Sequence, residues 1–193
     1  MLTKTAVVTL LLALILMTAH IGAASDLRKI VVMPVETGGQ PLPEGVGVIT
    51  EILADYFRDN RAVTMISAEQ KEALAGADTG NRLQLIQTIT AKMASGQALI
   101  FSLLRYRERI GDQYAIQDPA SLAFDFKLIN AVDGKVTCSG QFDETQEALT
   151  ENILALPQAI KRGFKWLTVK EMATEAVRDR LATCPPLAGA AGQ

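Results

Sequence analysis

The chain has 193 residues, of which 49% are hydrophobic, and it carries 19 Lys and Arg against 21 Asp and Glu. That size is typical of one globular domain. The formal net charge of −2 predicts no nucleic-acid partner, because a nucleic-acid-binding face is basic.

The first 24 residues have the layout of a secretory signal peptide. Lys4 precedes an apolar run at residues 6–17, AVVTLLLALILM, and small residues follow at 22–24. We therefore expect cleavage after Ala24 and a periplasmic protein. The alternative is an uncleaved anchor, since residues 5–24 form a stretch of about 20 residues that could span a bilayer and tether the protein to the inner membrane, facing the periplasm. Only in that case do we expect a membrane association. No cysteine lies directly after the apolar run, so the sequence has no lipobox.

The removal of this segment also limits the chemistry. His20 is the only histidine in the sequence, so a mature chain has no Ser-His-Asp or Cys-His arrangement and no imidazole ligand for zinc. We accordingly predict a protein that is not an enzyme and that has no cofactor and no metal site.

The first half of the mature chain alternates between strands and helices. Apolar runs predict strands at residues 29–35 and 63–66. Apolar residues at spacings of three and four predict helices at residues 46–57 and 83–93. A capping-box pattern at residues 67–70 predicts a short helix between them.

The second half begins with the strongly apolar run at residues 98–104, which predicts a central strand. Strict alternation at 122–128 and an Asp133-Gly134 turn predict an antiparallel hairpin that closes with residues 135–142. Helices are predicted at residues 149–160 and, after a capping box at 168–171, up to residue 181.

These elements predict a single α/β domain over residues 25–183, an α/β sandwich in which helices pack on a mixed sheet of about five strands. We predict that residues 184–193 form a disordered tail.

The order of these segments resembles a periplasmic fold family. The opening IVVMPVE, the helix GVGVITEILADYFRDN and the hairpin FDFKLINAVDGKVTCSGQF are similar to the corresponding parts of the TolB amino-terminal domain, the curli-secretion lipoprotein and the lipoprotein activators of penicillin-binding proteins. The similarity covers roughly residues 29–145. It implies a binding or assembly module with an envelope protein as partner. The missing lipobox means that the lipid anchor of those lipoproteins is not expected here.

Two acidic residues, Asp143 and Glu144, lie in the stretch SGQFDETQ at the predicted end of the last strand. They could form a paired-acid site, but adjacent residues of an extended segment point to opposite faces. We favour a helix start, in which the two anions oppose the helix dipole and Thr145 caps it.

Three arginines, Arg105, Arg107 and Arg109, alternate along one predicted strand and are expected on one face. They could bind an acidic partner, although a solvated strand end is the simpler interpretation. Trp166 lies in a basic and aromatic link with Lys161, Arg162, Phe164 and Lys165. It could be a partner anchor, but we favour a Trp that closes the core.

Two cysteines, Cys138 and Cys184, remain in the mature chain. In an oxidising compartment they could form a disulfide, and two unpaired thiols are the alternative.

We conclude that the sequence favours a non-enzymatic periplasmic adaptor for envelope assembly or secretion. Its candidate contact residues are Arg105, Arg107, Arg109, Asp143, Glu144 and Trp166. The alternatives are a cell-wall glycan hydrolase that uses carboxylates alone, and a carrier of a small molecule or lipid.

Overall fold

The computed structural model describes residues 26–76, 80–111, 116–146 and 166–188. Eight strands lie within these ranges: β1 (Asp26–Val32), β2 (Glu36–Thr37), β3 (Val63–Met65), β4 (Ser95–Arg107), β5 (Ile110–Gly111), β6 (Ile116–Asp118), β7 (Ser121–Asn130) and β8 (Val136–Thr145). The helices of the same ranges are α1 (Pro43–Phe57), α2 (Ala68–Ala75), α3 (Arg82–Lys92), α4 (Val169–Ala182) and α5 (Pro185–Ala188).

The main sheet has six strands in the order β3-β1-β4-β7-β8, and β2 also pairs with β4. β1 runs parallel to β3 and β4, whereas β7 runs antiparallel to both of its neighbours, β4 and β8. β5 and β6 form a separate two-stranded sheet. The predicted α/β class with a mixed sheet and a C-terminal antiparallel hairpin is thus confirmed.

Two apolar clusters cover the two faces of the sheet. On one face, α1, α4 and α5 pack over a core that contains Phe101, Phe124 and Phe126. On the other face, α3 packs Ile86 and Ile89 against the inner strands. β4 can supply both clusters because successive side chains of a strand point to opposite faces.

The local signals that predicted the helices are present in the structure. Ser67 and Thr168 are the N-cap residues of α2 and α4, and each forms a capping box. The partners are the third residues of the two helices, Gln70 and Glu171, whose side chains accept a hydrogen bond from the backbone N–H of the N-cap residue. α1 begins with Pro43, whose fixed φ suits a first helical position. Among the described residues, no helix is long and apolar enough to cross a bilayer.

Two short strands lie where the sequence predicts no element. β2 lies between the predicted strand at 29–35 and the predicted helix at 46–57, and β6 lies before the predicted strand at 122–128. The tail prediction is wrong for residues 184–188, where α5 buries Leu187 completely beside Cys184. The predicted helix at 149–160 lies outside the described residues.

Candidate interaction surface

The strand β8 forms one edge of the main sheet. It pairs with β7 along its length, and no other strand of the described residues pairs with it. From Cys138 to Thr145 the exposure alternates: every second residue is half-buried on the α1 and α4 side, and the others are exposed. The exposed residues of this part of the strand are Ser139, Gln141, Asp143 and Thr145.

The backbone of the same four residues faces the open edge. The Gln146 N–H donates to the Ala120 carbonyl at 3.0 Å, which identifies residues 146 and 120 as a hydrogen-bonded pair across β7 and β8. In an antiparallel ladder such pairs alternate with pairs whose N–H and C=O groups point away from the partner strand. Since Thr145 pairs with Ser121 and Gln141 with Asp125, their backbone groups point outward.

A polar row crosses the sheet at the exposed side of β8. The register places Arg105 beside Ala123, and Ala123 beside Asp143. The Arg105 guanidinium passes over the small Ala123 side chain and forms an ion pair with Asp143. Arg105 Nε also donates to Ser121 Oγ at 2.5 Å, and Ser121 Oγ lies 2.6 Å from Thr145 Oγ1.

This placement corrects the interpretation of the acidic pair. β8 continues to Thr145, so Asp143 and Glu144 belong to a strand and not to the start of a helix. Their side chains lie on opposite faces, Asp143 exposed beside Arg105 and Glu144 half-buried on the helix side. Two carboxyls on opposite faces of one strand cannot flank a single scissile bond, as the acid and the base or nucleophile of a glycoside hydrolase do.

The three arginines do not form one patch. A bulge at Leu104 shifts the register of β4 against β7 by one residue. Beyond the bulge, Arg105 pairs with Ala123 and Arg107 with Ser121, so the two arginines lie on the same face of the sheet. β4 ends at Arg107, which is exposed. Arg109 lies beyond the strand, where its Nη1 donates to the Trp166 carbonyl at 2.8 Å.

The segment after β4 is attached to the start of α4. Glu108 Oε1 accepts hydrogen bonds from the Val169 N–H at 3.2 Å and from the Arg109 N–H at 2.8 Å. A carboxylate at a helix N-terminus satisfies a free N–H and opposes the helix dipole. Trp166, half-buried just before α4, is attached to this segment through its carbonyl. The sequence singled out neither Glu108 nor this contact.

Tyr106 lies on the opposite face of β4 from Arg105. Burial, followed by the charges of Glu44 and Glu108, raises the pKa of Tyr106 to about 12. The first turn of α1 packs directly on the ring, since a Cβ at Gly45 would lie 2.7 Å from Tyr106 Cγ. The neutral phenol is therefore a packing group and not a proton donor at neutral pH.

Cys138 and Cys184 are joined by a disulfide, with Cα atoms 5.9 Å apart. The bond connects the helix-facing side of β8 to the junction of α4 and α5. It thus holds the edge strand against the helical layer.

Within the described ranges, no group of three or more His, Cys, Asp or Glu side chains is arranged to hold a metal ion. A groove of about 190 Å³ between α1 and α4 is lined by both acidic and basic side chains, and its Lys170 and Glu51 form an ion pair at 3.4 Å.

No protein-family model and no curated protein sequence matches the chain. Solved structures match it in fold. A subunit of the PelC dodecamer from Paraburkholderia phytofirmans superposes with a TM-score of 0.52 at 16% identity, over 88% of this chain and 93% of that one. The lipoprotein GNA1162 from Neisseria meningitidis gives a TM-score of 0.42 at 16% identity, over 69% of this chain and 98% of that one. The C-terminal domain of LpoB from Salmonella enterica gives 0.38 at 17% identity, over 69% and 92%.

At such identities the PelC comparison concerns the fold alone, and the two lower TM-scores carry no argument. The chain therefore shares the fold of a PelC subunit. The predicted resemblance to envelope lipoproteins and to the TolB domain stays a prediction.

Proposed function

We propose that this protein is a non-enzymatic binding module of the cell envelope, which holds another envelope protein by adding a strand of that protein to β8. The observation that carries the proposal is the open edge of β8, a strand of ten residues that pairs on one side only within the described ranges.

The chemistry of the edge suits an extended peptide. Its outward backbone groups, from Ser139 to Thr145, alternate donors and acceptors at strand spacing, which is what a partner strand needs. Edge strands that avoid pairing usually carry Pro or inward charges, or are very short. β8 has ten residues and no Pro, and Asp143, on its exposed face, already pairs with Arg105. Its inward charge, Glu144, lies next to the last residue of the strand and leaves the edge before it free of inward charges.

The same geometry supports a binding role over glycan hydrolysis. A hydrolase without histidine would need two cooperating carboxyls, and the adjacent candidates Asp143 and Glu144 lie on opposite faces of β8. The surface around Arg109 and Trp166 is already engaged in contacts to the start of α4. Of the predicted contact residues, Asp143 is therefore the one that is exposed on the edge strand β8 itself. Arg107, at the end of β4, is also exposed.

The comparisons add support at the level of architecture. PelC, whose subunit has this fold, assembles as a dodecamer, so the fold is compatible with contacts between chains. The signal-like N-terminus supports a periplasmic site of action, facing the envelope proteins that we infer as partners.

The test is photo-crosslinking in cells from a probe amino acid at Gln141, which is exposed on the open edge. A matched control places the probe at Thr50, an exposed position of α1 away from the edge. We expect one specific envelope protein from Gln141 and none from Thr50. Crosslinks only to other copies of this chain would replace the adaptor with self-assembly, and equal scattered products from both positions would refute the proposal.

A further inference from the structure

Three exposed apolar side chains gather around the turn between β7 and β8. Leu83, Val132 and Val136 are 39%, 68% and 51% exposed, and we call them the hairpin patch. The Leu83 methyl carbons lie 2.9 Å from the position that a Cβ would take at Gly134 in the turn. Gln87 Nε2 donates to the Val132 carbonyl at 3.5 Å, so α3 and the turn form one surface.

A shallow groove of about 250 Å³ lies beside Val132. Small side chains from the end of α3, the start of β4 and the turn line it, among them Ala91, Ala94 and Ala131. Gln87, Thr90 and Ser95 also line the groove, and Thr90 and Ser95 are buried, so the patch continues into a surface of mostly small side chains. Exposed apolar residues that cluster in this way mark contact sites more often than single scattered ones do.

The start of the fold lies at this same end of the sheet. Asp26, the first residue of β1, pairs with Ser95, and Ser95 lines the groove together with Val132. The apolar run of residues 5–24 stops two residues before Asp26. Since an extended chain covers about 3.5 Å per residue, two residues span only about 7 Å. A bilayer entered by that run would lie against this end of the sheet.

We propose that, in the form of the chain that keeps residues 5–24 as an uncleaved anchor, the hairpin patch rests on the surface of the phospholipid bilayer in which those residues are inserted. This form is the alternative to cleavage after Ala24. The inference does not depend on the function proposed for β8. The side chains of Leu83, Val132 and Val136 would lie in the zone between headgroups and acyl chains, where a tether makes even a small apolar contact effective.

The charges at the turn fit contact with the surface and limit its depth. Lys135 is largely exposed and can face lipid phosphates, while it also pairs with Asp133 at 3.3 Å. The Lys135 N–H donates to Asp133 and, as the main cause, lowers the pKa of that carboxyl. An ionised Asp133 resists insertion into hydrocarbon, so the turn would stay at headgroup level.

The opposite end of β4 supplies a matched control. Ile110 is 54% exposed, close to the value for Val132, and it lies beyond the far end of β4. A strand of 13 residues spans about 40 Å, so the two positions differ mainly in their distance from the start of β1.

The experiment uses the full 193-residue chain in vesicles of phosphatidylethanolamine and phosphatidylglycerol. Val132→Cys and Ile110→Cys are each labelled with an environment-sensitive fluorophore, which reacts only there because the native cysteines are bonded to each other. We expect a blue shift and quenching by spin-labelled lipids at position 132 and water-like emission at position 110. Val136→Cys should behave like Val132→Cys.

Three results would overturn the inference. Water-like emission at both 132 and 136 would show that the patch is free of lipid, and equal quenching at 110 and 132 would show no preferred orientation. A shift at 132 that requires added envelope proteins would assign the patch to a protein partner. Because Gln141 crosslinking is scored separately, failure here leaves the proposal for β8 standing.

Discussion

The Arg105 guanidinium reaches across one strand to the Asp143 carboxylate, because the residue between them in the register is Ala123. The pair links the centre of the sheet to its open edge. It is also well exposed, with 39% of the Arg105 side chain and 70% of the Asp143 side chain accessible. Water and salt therefore screen it.

We expect this ion pair to contribute little to stability. In a double-mutant cycle with Arg105→Gln and Asp143→Asn, the coupling free energy should be about 0.2–1 kcal/mol, as for other exposed pairs. Urea unfolding at low and high salt measures it, and the coupling should decrease with salt. A coupling free energy above that range that does not change with salt would mean that the ion pair is shielded from solvent.

The disulfide should matter far more. The bridge closes a loop of 46 residues, for which the chain-entropy relation gives a stabilisation of about 4 kcal/mol. Reduction under native conditions should lower the free energy of unfolding by an amount of that order. A Cys138→Ser/Cys184→Ser double variant is the control, since its stability should not respond to the reductant. No effect of reduction on the parent protein would mean that the two thiols are not bonded.

Two glycines of α1 provide a second test of packing. A Cβ at Gly45 would lie 2.7 Å from Tyr106 Cγ and 2.8 Å from Leu103 Cδ2, whereas nothing lies within 4 Å of a Cβ at Gly47. Gly45→Ala should destabilise the protein by about 1–3 kcal/mol, as overpacking does. Gly47→Ala should stabilise it by about 0.5–1 kcal/mol through helix propensity. Urea unfolding measures the free energy of unfolding of both variants. Equal changes in that free energy would contradict the close contact of α1 with β4.

Tyr106 should make stability fall at high pH. Its pKa in the fold is about 12, above the value of 10.0 for a free tyrosine. A group whose pKa is raised in the fold stabilises it fully below the unfolded pKa, and that contribution is lost as the pH rises from 10 to 12. Tyr106→Phe should therefore lose less stability than the parent protein over this window.

The comparison with the parent cancels the contribution of every other titratable group, because all of them are present in both proteins. Absorbance of the tyrosinate gives a second measurement, in which the step near pH 12 should disappear in Tyr106→Phe. A parallel loss of stability in both proteins would show that the phenol is solvated in the fold.

The elements themselves could be predicted because their signals are local. Ser67 and Thr168 start helices through residues three positions away, and Asp133-Gly134 turns a hairpin within four residues. The end of β8 could not be predicted in this way. Asp143 and Glu144 favour a helix start in isolation, but Ser121 and Arg105 from neighbouring strands hold that segment in the sheet.

The site depends on contacts that are remote in sequence. Glu108 caps α4 through Val169, 61 residues away, and no local pattern indicates which helix a loop will meet. The bulge at Leu104 changes which side chains share a face, so the alternation of the arginines alone could not place Arg109. The open edge of β8 emerges only from the strand order, which the sequence does not specify.

The proposed strand addition can be tested with proline at two adjacent positions of β8. The Gln141 N–H points to the open edge, whereas the Gly140 N–H points to β7, as the hydrogen-bonded pair of Gln146 and Ala120 implies. Proline lacks this N–H and is tolerated in edge strands where that group faces outward. Gln141→Pro should therefore change the free energy of unfolding by no more than about 1 kcal/mol and yet abolish partner binding.

Gly140→Pro is the matched variant, and it should destabilise the protein by about 3 kcal/mol or more, because it removes a ladder hydrogen bond and adds a ring where a Cβ would already lie 2.5 Å from Phe126 Cε1. Pull-down from crosslinked cells and urea unfolding of both variants separate binding from folding. If Gln141→Pro folds normally and still captures the same envelope protein, the backbone edge of β8 is not the contact, and the partner must bind through side chains elsewhere.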